Sequence, residues 1–228
     1  MPTEVMEKLF KTLSAELDGC TKILDVGVGT GRLAAPLQNA GLEVVGIDIS
    51  RKMVGKAKEK GVKRLLFADA RFLPFKPKTF DAAICVHVLH LISEWRKVLQ
   101  EICQVSRFAM FSLYETHKNP VRQAYNQLLQ RYGYERHHPG ISEQELNDLS
   151  NLAKHLLVSS YEVNADDSLS CLEQQSSSSQ WEIPKDINLK IVEELKTEFA
   201  EKVFKQELYL LEWNLNSLKD YTNNLGHH

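Results

Sequence analysis

The feature that most constrains the fold of this chain is a glycine-rich stretch that directly follows an apolar segment. Residues 23–31 read Ile-Leu-Asp-Val-Gly-Val-Gly-Thr-Gly. The pattern predicts a strand over Lys22–Val26 and a helix over Thr30–Asn39. Glycines let the backbone turn sharply, and they let a ligand approach main-chain N–H groups at a helix N-terminus. The stretch therefore predicts a strand-to-helix turn beside a nucleotide-like ligand.

The spacing within this stretch restricts the class of ligand. Gly27, Gly29 and Gly31 alternate, whereas a dinucleotide fingerprint requires G-x-G-x-x-G. Asp25 precedes the first glycine by two positions, where its carboxylate can accept a hydrogen bond from a cationic amino group. A structural turn explains one or two of these glycines, but not three glycines together with the acid. A nicotinamide-dependent oxidoreductase is therefore disfavoured.

Two further acids follow predicted strands. Asp48 ends the strand predicted over Leu42–Ile47, where a carboxylate can take both hydroxyls of a ribose. Asp69 and Ala70 follow the strand predicted over Arg64–Ala68. A single Asp after a strand is usually a turn or cap residue. Asp48 and Asp69 therefore indicate a ligand site only in combination with the glycine stretch.

Alternating patterns predict the architecture of the first half. An amphipathic leading helix over residues 1–18 precedes strands that alternate with helix-length segments, which is typical of an open, doubly wound parallel sheet. Ligands of such sheets bind outside the carboxyl ends of the strands. The other predicted strands are Phe80–Val88, Phe108–Tyr114 and Leu156–Val163, and the other predicted helices are Arg51–Lys60 capped by Ser50, Ser93–Val105, Pro120–Tyr132, Ser142–His155 and Ile187–Val203. Leu208–Leu218 is compatible with either a strand or a helix.

Composition limits location and partners. The formal net charge is −2, which gives no electrostatic reason to expect a nucleic-acid partner. The N-terminus lacks a signal-peptide pattern, and no apolar run approaches the roughly 20 residues needed to cross a membrane. The four cysteines are widely spaced, so neither a disulfide framework nor a zinc or other metal site is indicated. We expect a cytoplasmic protein.

Four segments taken together resemble the class I S-adenosylmethionine-dependent methyltransferases, particularly the branch that methylates small molecules. They read I-L-D-V-G-V-G-T-G, V-V-G-I-D-I-S, A-D-A-R-F-L-P-F and F-D-A-A-I-C-V-H-V-L-H-L, within residues 20–115. The resemblance implies an α/β, doubly wound, mostly parallel seven-stranded sheet, the Rossmann-like methyltransferase fold. It implies a single methyltransferase domain over residues 1–228, with a cofactor-binding core at 20–115, a helical lid insertion at 119–155 and a C-terminal part of the sheet and helix at 156–225.

The resemblance also assigns cofactor contacts by position. It implies that Asp25 holds the methionine amino group and that Asp48 binds the ribose hydroxyls. The remaining implied contacts are Gly27, Val28, Gly29 and Gly31 along the methionine and ribose, Ile49, Met53, Asp69 and Ala70 around the adenine, and Val86 and His87 at the methionine and transferable methyl. Val28 departs from the family pattern, which prefers a smaller residue there. The N-P-P-Y motif of base and glutamine methylation is absent.

The implied methyl donor is S-adenosyl-L-methionine, with S-adenosyl-L-homocysteine as product. Because the donor carries an activated methyl, the protein mainly supplies position, and a base is needed only for a protonated acceptor. His87 is the catalytic candidate, with a core or cap histidine as the alternative. Tyr114, Glu115 and His117 after the fifth strand form either a site edge or a plain polar loop.

The segment that follows the fifth strand is predicted to form a lid that encloses the acceptor, or else a packing or oligomer-contact helix. Its aromatic and histidine residues are Tyr125, Tyr132, Tyr134, His137 and His138. A small-molecule acceptor is favoured. RNA or protein methylation and a non-catalytic cofactor-binding partner subunit stay open as alternatives, and a homodimer is compatible with the sequence.

Overall fold

The structure is a computed structural model, and it describes residues 1–116, 119–134, 139–141, 145–146, 149, 152–175, 180 and 183–224. Its strands are β1 (Lys22–Val26), β2 (Glu43–Asp48), β3 (Arg64–Phe67), β4 (Phe80–Cys85), β5 (Ser106–Thr116), β6 (Ala153–Asn164) and β7 (Val203–Asn214). Its helices are α1 (Thr3–Glu16), α2 (Ala34–Asn39), α3 (Arg51–Glu59), α4 (Trp95–Val105), α5 (Pro120–Arg131), α6 (Ala165–Glu173), α7 (Lys185–Phe199) and α8 (Leu215–Asn224), with a 3-10 turn at Leu89–Leu91.

The seven strands form one sheet in the order β3-β2-β1-β4-β5-β7-β6. Parallel pairing joins β1 to β2 and β4, β2 to β3, and β4 to β5. The predicted doubly wound, mostly parallel seven-stranded sheet is thereby confirmed. Because β1 to β4 run in the same direction, their carboxyl ends lie at one edge of the sheet, and the loops that follow them meet there.

Burial explains why the central strands are so apolar. All six residues of β4 are buried, as is expected for a parallel strand covered on both faces. Helix α4 covers this part of the sheet with residues at helical spacing, and Val98, Leu99 and Ile102 are each 0% exposed. These residues belong to one large core cluster together with Leu24 and Phe80. The centre of the sheet is therefore a rigid base for the loops at its edge.

The described chain divides into two compact units. The first contains the described residues within Met1–Tyr114, Pro139–Val158 and Tyr209–His228, and the second contains those within Glu115–His138 and Ser159–Leu208. The sequence instead predicts one domain with an insertion at 119–155. In the structure, the described part of that insertion is shared between the units, since it belongs to the second unit up to Tyr134 and to the first from Pro139 onward.

The second unit has its own core, built by α5, α6 and α7. Tyr125 is 0% exposed at its centre, and its hydroxyl donates a hydrogen bond to Asn188 Oδ1. Tyr134 packs against the same cluster, whereas Tyr132 is exposed. These contacts favour a packing role for Tyr125. His117, His137 and His138 lie outside the described residues, and the lid role of the insertion stays a prediction.

Two predicted elements are wrong in part. The helix predicted from Thr30 begins at Ala34, because the intervening residues form turns around Gly31, whose φ of +75° is left-handed. The helix predicted over Ser142–His155 is wrong at its end, since β6 begins at Ala153, and most of its earlier residues lie outside the described part. Tertiary pairing within the sheet outweighs the local helical pattern there.

Asparagine caps explain one segment of ambiguous prediction and one helix that the sequence analysis does not predict. Leu208–Leu218 contains both a strand and a helix, because the Asn214 side chain accepts hydrogen bonds from the N–H groups of Asn216 (2.9 Å) and Ser217 (3.2 Å) and so starts α8. Helix α6 was not predicted, although Asn164 caps it by accepting from Asp166 N–H at 2.9 Å. Both helices thus begin at an asparagine that ends a strand.

Asp81 fixes the amino-terminal edge of the sheet, which is opposite to the edge where the loops meet. Its Oδ2 accepts hydrogen bonds from Thr21 N (2.9 Å), Thr21 Oγ1 (3.0 Å) and Lys22 N (2.9 Å), and Arg107 Nη1 lies 3.5 Å from its Oδ1. The bond from Thr21 N–H, supported by the other donors, lowers the pKa of this carboxyl below its usual value. Asp81 therefore joins the start of β4 to the start of β1.

We expect Asp81→Asn to lower the free energy of unfolding by about 1.5–3 kcal/mol at pH 7, the usual worth of hydrogen bonds to a charged group. Because the folded-state pKa of Asp81 is lowered, its stabilisation is present above the unfolded pKa of about 3.9 and is lost as the pH falls through the folded pKa. Urea unfolding of wild type and variant at pH 7 and pH 3 measures this. A difference that stays undiminished at pH 3 contradicts the assignment, and the exposed Asp220→Asn is the control.

Candidate functional site

The glycine stretch forms a tight loop between β1 and α2. Gly27, Gly29 and Gly31 have φ values of +71°, +54° and +75°, which L side chains rarely adopt. A β-carbon added at Gly27 would overlap with Val88, and one at Gly31 would lie 2.8 Å from a methyl of Val62. The same addition at Gly29 would approach only a carbonyl oxygen, at 3.9 Å. The outer glycines thus allow close packing, while the middle one borders open space.

The side chain of Val28 packs into the sheet. Val28 is buried, and a β-carbon added at Gly46 of β2 would lie 2.7 Å from its Cγ2. Its N–H donates to Ile47 O at 2.8 Å. The glycine in β2 therefore makes room for the larger residue of the loop. The contact of Val28 with the cofactor stays a prediction. Because its side chain and N–H are already engaged, such a contact would have to come from its other backbone atoms.

Asp48 ties the ends of two neighbouring strands together. Its Oδ2 accepts a hydrogen bond from Gly29 N at 3.0 Å, and its Oδ1 accepts one from Ser50 N at 2.8 Å. Ser50 is the predicted cap of α3, and its hydroxyl accepts from Met53 N–H at 3.4 Å. A carboxylate has about four lone-pair sites, so Asp48 keeps acceptor capacity for two hydroxyls.

Asp25 lies directly before the loop and is only 4% exposed. No residue in the described part of the chain donates a hydrogen bond to its carboxylate. Burial, followed by repulsion from Asp48, raises the pKa of Asp25 to about 7, although Arg32 opposes the shift. A buried carboxylate without a donor is costly unless a cation compensates it. The site therefore presents an acceptor for a positively charged group beside the glycine loop.

Asp69 has a partner that sequence reasoning missed. Its carboxylate accepts hydrogen bonds from Arg71 through the backbone N (2.9 Å), Nε (3.1 Å) and Nη2 (2.7 Å), and these bonds lower its pKa. Arg71 Nη1 also donates to Glu94 Oε2 at 2.6 Å, just before α4 begins. Ala70, the next predicted adenine contact, is buried in the core. The sequence signal for this pairing is the arginine two positions after Asp69.

Apolar side chains are exposed where β2 and β3 end. Ile49 is 63% exposed and Phe67 is 48% exposed, and Phe67 pairs in register with Asp48. The guanidinium of Arg51 lies 4.3 Å from the centre of the Phe67 ring. Met53 is half-buried in the first turn of α3. Exposed apolar groups beside a polar loop suit a flat aromatic ligand, and Phe67 joins the predicted Ile49 and Met53 there.

The turn after β4 carries the predicted methyl-end residues. Val86 is half-buried, and His87 is exposed with a φ of +56°, a left-handed conformation that is uncommon outside glycine. The next residue, Val88, contacts Gly27, so the structure brings this turn and the glycine loop together. Strained backbone of this kind persists only where the surroundings hold it, and it is concentrated at functional sites.

Tyr114 and Glu115, which are predicted to follow the fifth strand, lie within β5 and belong to different units. Tyr114 lies in the first unit, with its ring centre 6.4 Å from that of Tyr209. Glu115 lies in the second, where it accepts hydrogen bonds from Tyr161 (3.1 Å) and Gln206 (3.0 Å). Within the described ranges, no cluster of three or more His, Cys, Asp or Glu could hold a metal ion. No helix in the described part is long and apolar enough to cross a membrane.

Comparison with known proteins agrees with this geometry. Residues 24–107 match the family model of a methyltransferase domain. A phosphatidylethanolamine N-methyltransferase of Cereibacter sphaeroides is 38% identical over 93 residues, which are 38% of this chain and 45% of that protein. A demethylmenaquinone methyltransferase of Renibacterium salmoninarum is 36% identical over 88 residues, 38% of this chain and 37% of that protein. The chain thus spans less than half the length of these curated relatives.

Solved structures share the fold at lower identity. The YcgJ protein of Bacillus subtilis has a TM-score of 0.59 at 20% identity, covering 92% of this chain and 97% of that one. A magnesium protoporphyrin IX methyltransferase of Synechocystis with bound S-adenosylhomocysteine has a TM-score of 0.53 at 16% identity, covering 92% and 82%. The fold is therefore that of the Rossmann-like methyltransferases. Within this fold, residues 24–107 are similar to methyltransferase domains.

The raised pKa of Asp25 predicts that cofactor binding depends on pH. An ammonium group binds the ionised carboxylate, whose fraction rises as the pH passes about 7. We expect the affinity for S-adenosylhomocysteine, measured by calorimetry, to rise about tenfold or more from pH 5.5 to pH 7.5. Asp25→Asn should bind more weakly and without this dependence. Equal pH dependence in the variant and wild type contradicts the role of Asp25.

Proposed function

We propose that this chain transfers a methyl group from S-adenosylmethionine to a small-molecule acceptor, releasing S-adenosylhomocysteine. The observation that carries the proposal is the buried carboxylate of Asp25, which accepts no hydrogen bond from a described residue while it borders the glycine loop. A ligand with a cationic amino group satisfies this carboxylate, whereas the dinucleotide alternative supplies no such group. The family match over residues 24–107 supports the same ligand.

The residues present fit this cofactor along the edge of the sheet. Asp25 would hold the amino group, and the remaining lone pairs of Asp48 would hold the ribose hydroxyls. Ile49 and Met53 would cover the adenine. Asp69 would contact the adenine with the lone pairs that Arg71 does not use, because three N–H donors of Arg71 already bind its carboxylate.

When bound, the cofactor supplies a methyl group already activated by its positive sulfur, so the protein has to position it and exclude water. In our proposal Val86 and His87 border the methyl, because they follow the carboxyl end of β4 and their turn contacts the glycine loop through Val88. An acceptor that arrives protonated needs a base. We assign that role to a ring nitrogen of His87, whose side chain is exposed at this edge.

Several properties support a small-molecule acceptor. The relatives with named substrates act on phosphatidylethanolamine and demethylmenaquinone, and the net charge of −2 does not favour RNA. The proposal includes a cytoplasmic location, which suits the four free thiols. It also includes a homodimer, since β6 stands at one end of the sheet order and an edge strand can pair with a second copy.

Calorimetry with S-adenosylmethionine, S-adenosylhomocysteine and NAD tests the cofactor. We expect binding of the first two and none of NAD. Asp48→Ala should weaken the binding of S-adenosylhomocysteine by about 100-fold or more, because it removes two charge-assisted hydrogen bonds worth about 1.5–3 kcal/mol each. The far-ultraviolet circular dichroism should stay unchanged, and Asp220→Asn should bind like wild type. Tight NAD binding alone, or unchanged affinity in Asp48→Ala, would refute the proposal.

The acceptor class is tested with methyl-labelled S-adenosylmethionine and a cell extract divided into small-molecule, RNA and protein fractions. We expect the label in the small-molecule fraction with wild type and its loss with Asp25→Asn. Label in RNA or protein instead supports the alternative methyltransferases. Cofactor binding without label in any fraction supports the non-catalytic partner subunit.

A further inference from the structure

The turn that carries His87 is contacted by glycines from two other segments. Gly27 of the glycine loop leaves room for the Val88 side chain. Gly140 donates a backbone hydrogen bond to His90 O at 3.1 Å. A β-carbon added at Gly140 would overlap with the carbonyl oxygens of Leu89 and Ile92. Gly140 therefore touches the backbone of this turn directly, and it belongs to the same compact unit.

The requirement for glycine at position 140 is steric. Its φ lies outside the left-handed region, so a left-handed backbone is not the reason for glycine here. The atoms in its way are main-chain carbonyl oxygens, which cannot move aside as the end of a side chain can. A larger residue would have to displace either the turn or the segment that contains Gly140. This distinguishes Gly140 from Gly27, whose positive φ also requires glycine.

The segment around Gly140 is anchored in the core. Ile141 and Leu146 are 8% and 6% exposed, and both belong to the core cluster that contains Leu89. The turn is held internally as well, because Leu91 N donates to Val88 O at 2.9 Å and Ile92 N donates to Leu89 O at 3.4 Å. Displacement of the Leu89 and Ile92 carbonyls would thus be transmitted to Val88, which adjoins His87.

We propose that Gly140 is a positioning residue for methyl transfer. By fitting against the Leu89 and Ile92 carbonyls, it holds the turn so that His87 keeps its left-handed conformation at the methyl end of the site. The role of His87 in this inference rests on the proposed function. The position of the His87 ring does not depend on the proposed function, and this position can be measured even if the proposed function is wrong.

The test is nuclear magnetic resonance of protein with carbon-13-labelled histidine, in which His87→Asn identifies the His87 signal. We expect Gly140→Ala to shift the His87 and His90 signals by more than their linewidths, with S-adenosylhomocysteine affinity within about threefold of wild type. Methyl transfer from labelled S-adenosylmethionine into the small-molecule extract should fall about 100-fold, the cost typical of a displacement near 1 Å.

Gly55→Ala is the matched control, because it is the same substitution in α3 with ordinary φ and no atom within 4 Å of the added carbon. It should leave the signals of His87 and His90 unchanged, and it should leave the rate of methyl transfer unchanged. An unshifted His87 signal in Gly140→Ala overturns the inference. If S-adenosylhomocysteine fails to bind wild type, the proposed function fails, whereas the histidine comparison without ligand still decides the positioning role.

Amide hydrogen exchange of the wild type covers the case in which Gly140→Ala does not fold. If the contact positions the turn, the Gly140 amide should exchange as slowly as the amides of Leu91 and Ile92, since the three would open together. An exchange rate for Gly140 about tenfold or more above theirs would show that the contact opens independently and would overturn the inference.

Discussion

The site depends on the hydrogen bonds that the Asp48 carboxylate accepts from Gly29 and Ser50. They join the end of β2 to the loop that follows β1 and to the first turn of α3. Because β1 and β2 run parallel and side by side, one carboxylate can reach both loops. Burial raises the pKa of the neighbouring Asp25, and the charge of Asp48 raises it further. One side chain thus fixes the geometry of the glycine loop and increases the need of Asp25 for a cation.

Asp25 and Asp81 both have low solvent exposure, but their carboxylates have different surroundings. Both are nearly buried, at 4% and 8% exposed, and both lie on central strands. Asp81 is surrounded by N–H and O–H donors, which lower its pKa and make it a structural link between β1 and β4. Asp25 lacks such donors in the described structure, and its pKa rises. A folded protein retains such an unfavourable group where a ligand compensates it, so this electrostatic contrast supports the proposed binding role of Asp25 and the structural role of Asp81.

The sequence predicts what depends on neighbouring residues along the chain. The bounds of β1 are confirmed without change, and Ser50 caps α3 as expected, because strand burial and capping are encoded within a few positions. The sequence does not predict the pairing of Asp69 with Arg71, although it is local, since Arg71 also pairs with Glu94, which lies just before α4. The contact between Gly140 and the turn after β4 was beyond reach, because it joins segments 50 residues apart through main-chain atoms that carry no sequence signal.

The turn after β4 is therefore held by the glycine loop and by a segment distant in sequence. Gly27 leaves room for Val88, and Gly140 contacts the Leu89 and Ile92 carbonyls. A residue in a sparsely populated conformation, such as His87 with its φ of +56°, is stable only where contacts of this kind over-determine the backbone. Close packing has few intermediate arrangements, so a shift on either side would move His87 rather than be absorbed. The geometry at the proposed methyl end thus depends on three chain segments, and the stretch that contains Asp25 and the glycines is only one of them.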